Sequence, residues 1–182
     1  RCGHTDVDSK TGVCPTCKYQ LTAGISGVGT AKYFDNIDDA FTAALSAENS
    51  GCTLTLYKDC ELSQNIVIGN ATVTVDMNGH SILLAYRIKV NDGGVLYLKN
   101  SGENGSIETE IDVNKGGTLI NGTADDSRSA VSVFGVTADA AKRVEIYGGS
   151  YEGLTVNNGT SGIALYGGSY ESINTNDLTD ST

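Results

Sequence analysis

The chain has 182 residues, enough to bury a substantial core, and its 12 Lys and Arg against 22 Asp and Glu leave a formal charge of −10. That balance repels phosphate backbones and anionic membrane surfaces, which argues against nucleic acid as a partner. Apolar residues at 39%, 23 Gly and a single Pro argue against disorder and suit many tight turns inside a continuous sheet, and no stretch approaches the roughly 18 apolar residues of a membrane span.

The chain opens on Arg1, without an initiator Met or a basic-then-apolar leader, and reads as an internal fragment whose targeting and anchoring signals lie elsewhere. Residues 1–20 show no periodic apolar face but carry Cys2, His4, Cys14 and Cys17 in two closely spaced pairs. Each pair can clamp one side of a tetrahedral zinc ion while the intervening loop folds over it. All four ligands together close the coordination sphere, so the expected cofactor is a structural zinc in a knuckle-like segment. A disulfide from Cys2 to Cys14 or Cys17 is the alternative in an oxidising compartment, but it gives His4 no role. The same loop holds Asp6, Asp8 and Gly12 in loose imitation of a calcium loop; Lys10 stands where an oxygen ligand is required, so a polar turn is expected there.

Residues 21–32 are small and Gly-rich, a joining segment or an irregular first strand. A helix follows near 36–48: Asp35 or Asn36 can cap it, Ile37, Ala40, Phe41, Ala44 and Leu45 recur at helical spacing, and Asn49, Ser50 and Gly51 end it. Its place before the first strands suits a plug for the open end of a solenoid, where core and strand edges would otherwise be bare.

Strands are expected at Thr53–Tyr57, Asn65–Ile68, Thr72–Asp76 and Ser81–Leu84, and then around Ile88, Val95–Leu98, Ile107, Ile111–Val113, Thr118–Ile120 and Val131–Phe134. Cys52 and Cys60 bracket the first of these; an extended strand between them holds their Cα atoms ~26 Å apart, too far for a disulfide, so two separate, mostly buried thiols are expected. The motifs Val90-Asn91-Asp92-Gly93-Gly94, Val113-Asn114-Lys115-Gly116-Gly117 and Val156-Asn157-Asn158-Gly159 each precede a strand, at spacings of 23 and 43 residues.

Two near-copies, Tyr147-Gly148-Gly149-Ser150-Tyr151-Glu152 and Tyr166-Gly167-Gly168-Ser169-Tyr170-Glu171, lie 19 residues apart, each after an alternating run. A repeat this short, built of strand formers, is the mark of successive coils in a solenoid of parallel strands. Tyr147 and Tyr166 follow the inward residues Ile146 and Leu165, so alternation points both outward and one coil apart, with Glu145 nearby as an acceptor. They are the candidate ligand-binding residues, able to pack on sugar faces; stacked rings that only reinforce neighbouring strands are the structural alternative. Tyr151 and Tyr170 lie beyond a Gly-Gly turn that can reset parity and bring them into the core. The tail from Asn174 to Thr182 is polar, a frayed end or a link to a further module.

The stretch from Tyr33 to Ser81, with Ala40-Phe41 on the helix, then Thr53 to Asp59 and Val73 to His80, together with the later Gly-Gly-Ser-Tyr coils, resembles the pectin-lyase-like right-handed β-helix domains of bacterial surface and secreted proteins. The resemblance covers about residues 33–173. It implies an all-β fold, a right-handed parallel β-helix behind an N-terminal capping helix, and an extracellular or bacterial cell-surface location, and the spacing of the repeated motifs gives about six coils. Together with the residue pattern it divides the chain into a zinc-knuckle-like segment at 1–20, a linker at 21–32 and the β-helix at 33–182.

Catalysis on such a fold requires clustered carboxylates with a base, or two or three carboxylates converging from neighbouring coils. Asp125-Asp126 with Arg128, and Asp76 with Asn78 and His80, are the available groups, and both read more naturally as turns. Asp125-Asp126 is the only acidic pair close enough in sequence to suggest catalysis, and neither conspicuous repeat contributes a carboxylate pair that must converge with it. The sequence therefore points to a non-catalytic structural or adhesive module of a larger protein, with glycans or host and microbial surface proteins as partners. The rivals are a polysaccharide lyase or hydrolase, and a trimeric spike; nothing in the sequence sets an oligomeric state.

Overall fold

The structure, a computed structural model, describes residues 4, 6–83 and 86–176. After the N-terminal segment come β1 (Ala23–Ser26), β2 (Lys32–Phe34) and the helix α1 (Ile37–Ala44), with a 3₁₀ turn at Ala47–Asn49. Asn36 caps α1 by accepting from the backbone N–H of Asp39, and Ile37, Ala40, Phe41 and Ala44 form its buried side. No helix among the described residues is long and apolar enough to cross a membrane.

From Cys52 the chain winds through successive passes. The first comprises β3 (Cys52–Leu56), β4 (Cys60–Glu61) and β5 (Ile66–Ile68); the second β6 (Thr72–Asp76), β7 (Ser81–Leu83) and β8 (Ile88–Val90). In the next three, the later strands merge into one: β9 (Val95–Lys99) with β10 (Ser106–Val113), β11 (Thr118–Asn121) with β12 (Ser132–Ala138), and β13 (Arg143–Ile146) with β14 (Ser150–Val156). The last described pass is β15 (Ile163–Leu165), β16 (Ser169–Tyr170) and β17 (Ile173–Thr175).

Strands stack in parallel as β3, β6, β9, β11, β13 and β15 in one sheet, and as β4, β7, β10, β12, β14 and β16 in the other, with β5 joining through β8 to β10 and β17 joining β14. The result is an all-β parallel solenoid of about five turns, the interval between the first and last passes. Residues 21–32 contain a true strand: β1 pairs antiparallel with both β2 and β3. This hairpin extends the first sheet's N-terminal edge, while α1 packs beside it against the same core. The tail is ordered at least as far as β17, which pairs Ile173, Asn174 and Thr175 with Leu154, Thr155 and Val156. The rest of the expected tail, residues 177–182, and Leu84 at the end of one expected strand lie outside the described residues.

Alternation puts one apolar file on each inner face, and register stacks those files across coils. Cys52, Val73, Leu96, Leu119 and Val144 form one column; Ile107, Val133 and Tyr151 belong to another on the facing sheet. Burial of such side chains stabilises by ~1.5–3 kcal/mol each, which makes the stacked core the main support of the fold. One column breaks its apolar run at Asn121, which is fully buried. Its amide donates to the Val131 carbonyl at 2.7 Å and to the Tyr151 hydroxyl, and its Oδ1 accepts from the Val131 N–H at 2.8 Å. A polar core residue thus holds the two ends of the 122–131 insertion together. Among the described residues no buried side-chain N or O lacks a partner.

The repeated glycines follow from coil spacing. A Cβ at Gly94 would fall 2.2 Å from the Ile68 carbonyl oxygen, and one at Gly117 would fall 2.3 Å from that of Val90. Beside these turns Asn114 donates to Asn91 at 2.8 Å, one rung of an asparagine ladder.

Candidate functional site

Of the four expected zinc ligands, His4, Cys14 and Cys17 converge, their ligand atoms all within 4.8 Å of one another. Cys2 lies outside the described residues. Cys14 and Cys17 sit on a tight turn in which Lys18 N–H donates to the Cys14 carbonyl at 2.8 Å and Cys14 N–H donates to the Tyr19 carbonyl at 2.9 Å. Lys18 closes that turn in the left-handed region at φ 62°, and His4 Nδ1 stands 3.6 Å from Cys17 Sγ. Tyr19 packs beside the His4 ring, centroids 5.7 Å apart.

Two sulfurs and an imidazole at this separation are a soft donor set suited to zinc and can hold a metal ion. The segment does have a small apolar cluster, which its sequence pattern did not reveal: Val7, Cys14 and Leu21, with Tyr33 packed against them. Three residues at ~1.5–3 kcal/mol each fall well short of ~1–2 kcal/mol of backbone entropy for each described residue from 6 to 20, so the segment needs a cross-link and its contact with the solenoid. The neighbouring acidic loop is a polar turn, as expected: Asp8 accepts from the Lys10 N–H at 2.8 Å and its carbonyl accepts from Gly12.

Tyr147 and Tyr166 stack with centroids 4.6 Å apart and planes 10° from parallel, and Tyr166 is 63% exposed. Outward alternation therefore holds. The stack turns one face of each ring toward the other and leaves Tyr166 the more exposed of the two. Glu145 is nearly buried and already engaged, by Arg143 at 2.6 Å and by the Tyr147 hydroxyl at 3.3 Å. Partial burial, and then the Glu145 charge, raise the Tyr147 pKa. Tyr151 and Tyr170 do turn inward past the Gly-Gly turn; their rings stack at 5.0 Å, and their hydroxyls donate to the carbonyls of Gly148 and Gly167.

The two acidic groups considered for catalysis both hold turns. Asp76 is buried and accepts from the N–H groups of Asn78 and Ser101 and from the Ser101 hydroxyl, while its other oxygen pairs with Lys99 at 3.1 Å. Asn78 and Gly79 take positive φ, Asn78 donates to the Leu56 carbonyl at 2.9 Å, and His80 faces Asp59 rather than Asp76. Asp126 caps the 3₁₀ turn Ser127–Ser129 and stands 3.5 Å from a highly exposed Arg128. Cys52 is buried in the core; Cys60 is half-buried, its pKa pushed up to about 12 by burial.

A groove that sequence reasoning missed runs along the outer face of the second sheet. Register aligns Ile107, Val133, Tyr151 and Tyr170 inside, and the residue that follows each, Glu108, Phe134, Glu152 and Glu171, is exposed along the groove; a bulge between Ile107 and Glu110 interrupts the pairing at Glu108. Beside these residues runs a column of serines, Ser81, Ser106, Ser132, Ser150 and Ser169. The groove has a volume of about 670 Å³, and a smaller hollow of about 220 Å³ shares Phe134 and Glu152 with it. Glu152 and Glu171 occupy the same place in the two copies, each just after the paired Tyr151 and Tyr170, so one-coil stacking puts them on neighbouring rungs of the groove. That signal was present in the repeat. Glu108 and Phe134 lie in coils without the motif.

The fold and its outward residues define a parallel β-solenoid with a lateral groove and, at its N-terminal end, a cluster of soft donor atoms that can hold a metal ion. Compared with known protein families, characterised proteins and solved structures, the chain matches none.

Proposed function

We propose that this chain is a non-catalytic structural and adhesive module: a right-handed, pectin-lyase-like parallel β-helix of a larger bacterial cell-surface or secreted protein, closed at its N-terminal end by α1 and a structural zinc knuckle. The lateral groove carries this reading. Cross-coil ladders make the solenoid a rigid rod, and on that rod one concave face presents an exposed ring, hydroxyls and carboxylates to a long ligand. Glycans or host and microbial surface proteins are the partners. A combined glycan-array and surface-protein screen of the fragment tests it, and silence in both screens overturns it.

The zinc assignment rests on the convergence of His4, Cys14 and Cys17, with Cys2 as the fourth ligand required to close the site.

One observation favours a second reading, a polysaccharide-active enzyme. Glu152 and Glu171 directly follow the paired Tyr151 and Tyr170 on adjacent rungs, where two carboxylates on one face supply the residue types that a retaining glycosidase needs. Cleavage of a polysaccharide that is abolished by Glu152→Gln would replace the adhesive reading with this one.

A further inference from the structure

The geometry points to a particular ligand class for the groove: a cationic amino-sugar polymer, a run of hexosamines with free ammonium groups. We propose that Phe134 is its stacking platform and that Glu108, Glu152 and Glu171 are its charge partners. This rests on the adhesive reading and adds the ligand and the residues that select it.

Charge decides the sign of the ligand. Glu108, Glu152 and Glu171 form no ion pair among the described residues. No Lys or Arg lines either hollow, and the nearby Arg87 is taken up by Glu110 and Asp112. In a chain of formal charge −10, such a face repels uronates and sulfated glycans and attracts cations.

The rest of the lining decides the ligand's body. Phe134 is 41% exposed, lies one rung from Glu152, and shares the groove with Glu108, which sits at a bulge of the strand on its other side. A ring so placed takes the apolar face of a sugar or an ammonium group, with a carboxylate on either side. The serine column runs parallel to it, its hydroxyls linked at 2.8 Å between Ser81 and Ser106 and at 3.0 Å between Ser169 and Ser150. Each such hydroxyl keeps further donor or acceptor capacity for sugar hydroxyls. Both sets repeat once per coil, ~4.8 Å, so a polymer lying along the solenoid axis meets related chemistry at each step. A basic peptide would satisfy the carboxylates but leave the serines little to bind. Most of the lining also offers it no strand edge, because β10, β12 and β14 are paired on both sides.

The test is calorimetric titration of the fragment with a fully deacetylated β-1,4-linked glucosamine hexamer at mildly acidic pH, where its amines are protonated. The fully N-acetylated hexamer, polygalacturonate and a lysine-rich hexapeptide are the comparison probes. The deacetylated hexamer should bind and the other three should bind at least about tenfold more weakly, because each lacks either the charge or the hydroxylated rings. Phe134→Ala should weaken binding about fivefold, and the double variant Glu152→Gln with Glu171→Gln about tenfold with loss of its salt dependence. Unchanged melting curves will show that these exposed substitutions leave the fold intact. Equal or tighter binding of the hexapeptide overturns the glycan class, and affinity indifferent to all three substitutions overturns the groove as the site. Failure of the hexamer to bind the parent overturns this inference alone, whereas the adhesive reading falls only if the wider screens are silent too.

Discussion

Gly12 lies against the ring of Tyr57, so close that a Cβ at residue 12 would fall 2.3 Å from the ring's Cγ. Around that contact Gln20 donates to the Tyr57 carbonyl at 2.7 Å and Asn78 donates to the Lys10 carbonyl at 3.4 Å. The N-terminal segment is therefore seated on the first turns of the solenoid, and a glycine makes the seat fit.

Replacing Gly12 should unseat it. Gly12→Val combines a clash with the Tyr57 ring and a side chain forced to φ 66°, a conformation unfavourable by roughly 1–2 kcal/mol for an L residue. Limited proteolysis should show cleavage within residues 1–20 rising at least tenfold, while the melting of the solenoid moves little. Unchanged protection of that segment would mean that the ring contact does not hold it.

Native mass spectrometry should find one zinc per chain, lost in Cys14→Ser. Chelation should raise hydrogen exchange in residues 4–20 and leave the strands from β3 onward protected, because the segment depends on its cross-link and the solenoid on its own core. An intact disulfide with no metal would sink the zinc assignment.

Phe41 is fully buried on the face of α1 that packs into the core. Phe41→Asp removes a side chain whose truncation alone destabilises by about 3–5 kcal/mol and adds an unpaired charge beside the strand edges. The variant should aggregate, as size-exclusion chromatography will show. A variant as soluble and stable as the parent would refute a capping role for the helix.

Asp76 should prove structural. Asp76→Ala strips acceptors from the N–H groups of Asn78 and Ser101 and leaves Lys99 without its partner, so denaturant unfolding should show a loss of about 2–4 kcal/mol. A loss below about 0.5 kcal/mol, the range of ordinary surface substitutions, would show that the network contributes little.

Stability should fall on the alkaline side. Burial, and then the nearby charges of Tyr33, Asp8 and Asp76, push Tyr57 from 10.0 up to about 12; burial, and then the carboxylates of Asp59 and Asp38, push Cys60 from 9.0 up to about 12. The fold binds these protons more tightly than the unfolded chain does. Their contribution is complete below the unfolded values and declines as pH rises from about 9 toward about 12. Urea unfolding across that range should show the decline, and Tyr57→Phe combined with Cys60→Ala should flatten it. An equally steep decline in the double variant would place its cause elsewhere.

Much of the fold was legible because its signals are local. Period-two alternation sets which side of a strand is buried, so the outward Tyr147 and Tyr166 and the inward files around Leu54, Val73 and Leu96 follow from the sequence itself. The 19-residue repeat implies stacking in parallel, and the spacing of Ile37, Ala40, Phe41 and Ala44 implies a one-sided helix behind a capping Asn36. Cys14 and Cys17 mark, by proximity along the chain, a turn able to offer two metal ligands. Tertiary structure decided whatever depends on register between coils joined by unequal loops. Residues 100–105 and 122–131 separate the strands by different lengths, so no period could bring Glu108 and Phe134 into one groove with Glu152 and Glu171. Nor could one foresee that β1 turns antiparallel to cover an edge, or that Gly12 meets Tyr57 from 45 residues away. Facing is set by neighbours in sequence, whereas groove and seat are set by where loop closure lets distant strands come to rest.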